Sequence, residues 1–109
     1  MNSQEAVETV FKILDEKFKI KGIEYAGDMS DRWRNFTQGA LLQSETKEQT
    51  LLGYVDKQIV SLFDAKHHNT ALLTDKTFIL EKAGDIAVYM IILMAMSLEQ
   101  TPMEIKNVS

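Results

Sequence analysis

Cysteine is absent from the 109 residues. That excludes a disulfide framework and a zinc–thiolate centre, and it fits a reducing compartment. Proline occurs once and glycine five times, too few breakers for a turn-rich all-β chain, so helices are expected. There is no Gly-rich phosphate loop, no serine–histidine triad pattern, no internal repeat and no low-complexity segment. The longest uncharged apolar run, residues 86–96, falls short of the roughly 20 residues that a membrane span needs. The opening MNSQEAVETV lacks the basic head and apolar core of a secretion signal. An excess of positive charge is also missing. The net charge is −4, which disfavours a nucleic-acid polymer as partner. A cytoplasmic protein without membrane contact is expected.

What is present suits one globular domain over residues 1–109, because 45% apolar and 26% charged residues are ordinary proportions for such a domain. Ser3 is placed to cap a first helix. Val7, Val10, Phe11, Leu14 and Phe18 form one stripe along it, lysines crowd its end, and Gly22 is its expected stop. Residues 22–31 read as a turn-rich connection. A short helix is expected from Asp31 to Leu42, with Trp33, Phe36, Ala40 and Leu41 inward. Thr46 and Gln49 have the form of a capping box opening a helix to about Lys66. At about 100° per residue, Leu51, Leu52, Val55, Ile59, Leu62 and Phe63 share one sector of it, and Asp56 borders that sector. His67 and His68 begin a loop to about Asp75. Adjacent histidines lack the spacing of a helix-borne metal pair and are read as structural or solvated. Thr74 or Asp75 caps the last helix, which ends near Thr101 and Pro102, and a loose tail over 102–109 is expected. The fold class is thus all-α, a bundle of about four helices.

The last helix holds the most informative stretch, residues 81–98, EKAGDIAVYMIILMAMSL. Beyond Asp85 it is apolar nearly all round, which marks a helix buried on every side. Three partner helices of a chain this small are too few to cover it. A homodimer or homotetramer is expected to complete the bundle, with Met90, Met94 and Met96 filling uneven gaps at the interface. Near its front, Glu81 and Asp85 lie four residues apart and stack on one face. Such like charges repel by roughly 0.2–0.5 kcal/mol even on an exposed helix, and by more beside apolar surface. A lysine, an arginine or a divalent metal has to compensate them. If Asp56 joins them across the core edge, three carboxylates suit Mg²⁺ or Mn²⁺ with water completing the shell. A metal there would bind nucleotide phosphates and orient water for attack on an anhydride. Arg32, Arg34, Lys57 or Lys82 would neutralise phosphate, and Trp33 or Phe36 would stack on a base. The plainer reading is that Lys57 or Lys82 pairs with the acids, and that Trp33 and Phe36 are a core plug under solvated arginines.

These residues carry a resemblance. Tyr25-Ala26-Gly27-Asp28 followed by Asn35-Phe36, then LLGYVDKQIVSLF with Lys57, then EKAGDIAVY with Glu81, Asp85 and Tyr89, resembles the MazG-like, all-α nucleoside triphosphate pyrophosphatase superfamily, above all its small phage-encoded members. The Gly84-Asp85-Ile86 step is similar to the Gly-Asp-Val step of that superfamily's final metal motif. The resemblance covers about residues 20–98. It implies a Mg²⁺-dependent pyrophosphohydrolase acting on a (deoxy)nucleotide as an oligomer, in a host cytoplasm if the chain is phage-encoded. It also implies metal on Asp56, Glu81 and Asp85, and substrate near Asp28 and Tyr89. The chain departs from the pattern twice. Only Asp56 stands where two or three acids are expected on the earlier helix. On the last helix the acid precedes Asp85 by four residues, not three, and Lys82 takes the three-back position. The alternative is therefore a non-catalytic oligomer that keeps the fold, with a degraded metal site, to bind a nucleotide or a protein. A purely structural bundle is the third reading.

Overall fold

The computed structural model describes residues 1–26 and 33–100, with side chains described except at 21–26, 34–35 and 100. Among them are four α-helices and one 3-10 turn, and no strand: α1 (Ser3–Ala26), α2 (Arg34–Gln43), α3 (Lys47–His68), the turn η1 (Thr70–Thr74) and α4 (Lys76–Gln100).

The helix starts follow local hydrogen bonding. Thr46 and Gln49 close a reciprocal capping box on α3: Gln49 N donates to Thr46 Oγ1 at 3.1 Å, and Thr46 N donates to Gln49 Oε1 at 2.8 Å. That satisfies two donors the first turn leaves without helical partners. Asp75 caps α4, accepting from Phe78 N at 2.9 Å. On α1 the cap is Asn2 instead of Ser3, since Asn2 Oδ1 accepts from Glu5 N at 2.8 Å. Asn and Ser cap about equally well, so only the side chain's reach decides between neighbours. Gly22 does not stop α1, which continues to Ala26. A glycine inside a helix costs about 1 kcal/mol relative to alanine, so it weakens a helix without having to end it. The segment expected as a loop after His67 contains η1, and the short helix starts at Arg34, later than Asp31.

Helix pairing sets the directions. Tyr54 and Gln58 of α3 meet Tyr89 and Asp85 of α4, so these two run antiparallel. Phe36 of α2 meets Tyr54, and a Cβ on Gly39 would come within 2.9 Å of Thr50, so α2 and α3 are antiparallel as well. Val10 and Ile13 of α1 lie beside Ile79 and Leu80 of α4, and Lys17 lies beside Gly84 and Asp85. Those two helices run the same way, as their separation in the chain permits.

Phe36, Leu51, Val55, Val88, Tyr89, Ile92 and Met96 form the core, with Leu14 and Phe18 of α1 packed against it. Several stripes are covered on one flank only. On α3, Leu51 and Val55 are buried, whereas Leu52, Ile59 and Phe63 are exposed. On α1, Val7, Val10 and Phe11 are exposed. Leu41 of α2, expected inward, is 77% exposed. On α4, Ile91, Met94 and Leu98 are left uncovered by the other described residues of this chain. No helix among the described residues is long and apolar enough to cross a membrane.

Candidate functional site

The chemistry of the interior is concentrated where α1, α3 and α4 meet. Asp85 is 9% exposed, one of two buried polar or charged residues among those described. Its Oδ1 accepts from Lys17 Nζ at 2.8 Å. Gln58 Nε2 lies 3.4 Å from Oδ2, at the outer limit of a hydrogen bond. The lysine reaches this point because residue 84 is glycine. A Cβ there would stand 2.9 Å from Lys17 Cε and 3.1 Å from Cδ. Gly84 therefore acts as a trough for the aliphatic stem of Lys17, with the ammonium delivered to the carboxylate of the next residue.

Around this pair the site is aromatic. Tyr54 and Tyr89 stack with centroids 6.0 Å apart and planes 18° from parallel. Phe36 meets both edge-on, at 5.7 Å and 6.5 Å, a geometry favoured by the ring quadrupoles. Among the described residues, Gln58 Oε1 is buried without a hydrogen-bond partner, a cost of about 1–3 kcal/mol.

The structure does not bring the three predicted metal ligands together. Among the described residues there is no group of three or more His, Cys, Asp or Glu arranged to hold a metal ion. Asp85 already has a cation from its own chain. Glu81 is exposed and lies 3.6 Å from the Lys82 ammonium. Asp56 is exposed on α3, two residues from Gln58. Two residues are about 200° of helix rotation, so with Gln58 turned to Asp85, Asp56 points away from it. Among the described residues the three carboxylates do not gather into the kind of oxygen cage that Mg²⁺ or Mn²⁺ takes.

The predicted nucleotide contacts are dispersed too. Phe36 and Tyr89 are core residues at 0% and 3% exposure, so neither face is open to a base. Trp33 is partly buried against the core, and its indole N–H donates to Glu99 Oε2 at 2.7 Å. Lys57 is exposed, its ammonium 6.0 Å from the centre of the Tyr54 ring. Lys82 stands beside Glu81. Asp28, Arg32 and the side chains of Tyr25 and Arg34 lie outside the described residues, as does the tail over 102–109. His67 stacks on Phe63, centroids 6.4 Å apart, which is a structural use of a ring. The Lys19 ammonium is held above its ordinary pKa by its hydrogen bond to Asp15, then by the charges of Asp15 and Glu16, but it lies on the solvent face of α1.

Sequence reasoning missed Lys17 and Gln58. Both carried a signal. Lys17 is seven residues from Val10, three from Leu14 and one from Phe18, inside the apolar stripe of α1. Gln58 continues the Leu51, Val55 row of α3. A charged or amide side chain at a core position of an amphipathic helix needs a buried partner, and Asp85 is that partner for both.

Comparison with known proteins found no matching family model, no matching curated protein and no matching solved structure.

Proposed function

We propose that this chain is a non-catalytic helical module that acts by association with protein, other copies of itself included, and not by metal-dependent hydrolysis of nucleoside triphosphates. The observation that carries this reading is the 2.8 Å pair between Lys17 and Asp85. In a phosphoanhydride hydrolase, a carboxylate at this place earns its role by holding a metal with an open coordination position. Here a lysine tethered to α1 neutralises it, and no second or third acid joins it among the described residues. The wide apolar flanks left uncovered on α1, α3 and α4 suit association, because contiguous exposed apolar surface marks interaction sites.

The test pairs a pyrophosphate-release assay with thermal unfolding. A panel of ribo- and deoxynucleoside triphosphates with Mg²⁺ or Mn²⁺ is expected to give no release above blank. Neither metal is expected to raise the unfolding temperature, since a cation that binds no folded-state site adds no stability by mass action. Metal-dependent release that disappears in Asp85→Ala would overturn the proposal. Stabilisation by a nucleotide without metal and without turnover would move the partner from protein to nucleotide and leave the non-catalytic reading in place.

A further inference from the structure

The outer flank of α3 holds a pattern that matches itself when reversed. Asp56, Ile59, Phe63 and Lys66 follow at spacings of three, four and three residues, so they form one row along the helix. All four are exposed. Ile59 and Phe63, with Leu62 and Leu73, line an open groove of about 420 Å³ between α3 and η1.

We infer that this flank of α3 is the contact by which two copies of the chain pair, antiparallel, about a two-fold axis at the level of Ser61. In such a pair, residue numbers that face each other across the axis have a constant sum. One register then places Ile59 against Phe63 of the other copy, and Asp56 against its Lys66, each contact made twice. An isologous interface demands a surface complementary to itself. This row meets that demand in shape, with a small apolar group opposite a large one, and in charge, with an acid opposite a base. The same register brings Leu52 to the level of η1, where Leu73 is 40% exposed. A second copy fits better than an unrelated protein because the row is electrically neutral within a chain of net charge −4.

Leu52, Ile59, Phe63 and Leu73 are 36–53% exposed, apolar surface of the kind that fills the centre of the ~800 Å² each partner buries in a standard interface. Phe63 is the natural anchor: an aromatic ring at the centre of the row, braced by His67 at 6.4 Å and by the Lys66 ammonium at 5.8 Å. The inference rests on the associative reading above only in taking a further copy as one of the partners.

Sedimentation velocity on the full chain tests it, with far-UV circular dichroism to confirm that each variant keeps its helices. The wild type is expected to form a dimer. Phe63→Glu, at a position already half exposed, is expected to keep its helicity and weaken association about 100-fold or more. Asp56→Lys and Lys66→Asp are each expected to weaken it about 10-fold, and the double reversal to restore it, because two unlike charges again face each other. A wild type that stays monomeric, a dimer unchanged by Phe63→Glu, or a double reversal no tighter than the single variants would overturn the surface. Metal-dependent pyrophosphate release by the wild type would overturn the non-catalytic reading alone, so the two failures are separable.

Discussion

Lys17 and Asp85 decide the chemistry of the interior at the scale of single residues. Their side chains are 26% and 13% exposed, so the pair is neither a surface ion pair nor a fully dry one. A surface pair contributes about 0–1 kcal/mol. Removing one partner of a buried pair costs about 3–5 kcal/mol, because the other charge is left uncompensated. Lys17→Met is therefore expected to destabilise the chain by about 2–3 kcal/mol in urea titration, with Asp85→Asn less damaging because it leaves no buried anion. Equal, negligible losses in both variants would show that the pair contributes nothing. The same contact bears on what could be read beforehand. That Asp85 needs a cation followed from its apolar neighbours alone. That the cation is Lys17, sixty-eight positions away, did not, because lysines elsewhere in the chain satisfied the same rule.

The helices themselves are largely local products. The capping box of α3 and the Asp75 cap of α4 involve residues three apart, so a single sequence displays both partners. Two local conflicts remain within the elements. Gly53 lies inside α3, and a Cβ there would meet nothing within 4 Å. Gly53→Ala is expected to raise stability by about 0.5–1 kcal/mol through the lower entropy of the unfolded chain, read as a higher urea midpoint at unchanged slope. Ser44 ends α2 in the left-handed region at φ 55°, a conformation that costs a non-glycine residue about 1–2 kcal/mol. Ser44→Gly is expected to gain about 0.5–1 kcal/mol by relieving it. A loss of stability there would mean that the serine side chain supplies more than the strain removes.

For the whole molecule the balance of buried and exposed apolar surface is the decisive quantity. Among the described residues, nine hydrophobic residues are buried and sixteen large ones are exposed, an apolar excess that the association proposed above would cover. If copies associate as proposed, the chain gains stability by covering those flanks. Its unfolding temperature is expected to rise with protein concentration, since association of folded copies draws the equilibrium toward the native state. A melting temperature independent of concentration from about 1 to 100 µM would count against self-association in that range. The expectation of a partner came from the apolar excess of the last helix, whereas the contact surface proposed above lies on α3. The row of Ile59 and Phe63 reads as core by periodicity, and only the positions of α2 and α4 leave it open.

The sequence by itself determined the all-α class, most of the helix limits and the requirement that Asp85 be neutralised. Each of these depends on interactions within a turn or two, or on the cost of burying an unpaired charge. The tertiary structure decided which ammonium meets Asp85, which flank of each stripe is covered, and that Asp56 faces away. Those outcomes depend on how far each helix is rotated about its own axis when it packs. One residue changes that aim by about 100°, and no local pattern fixes the rotation.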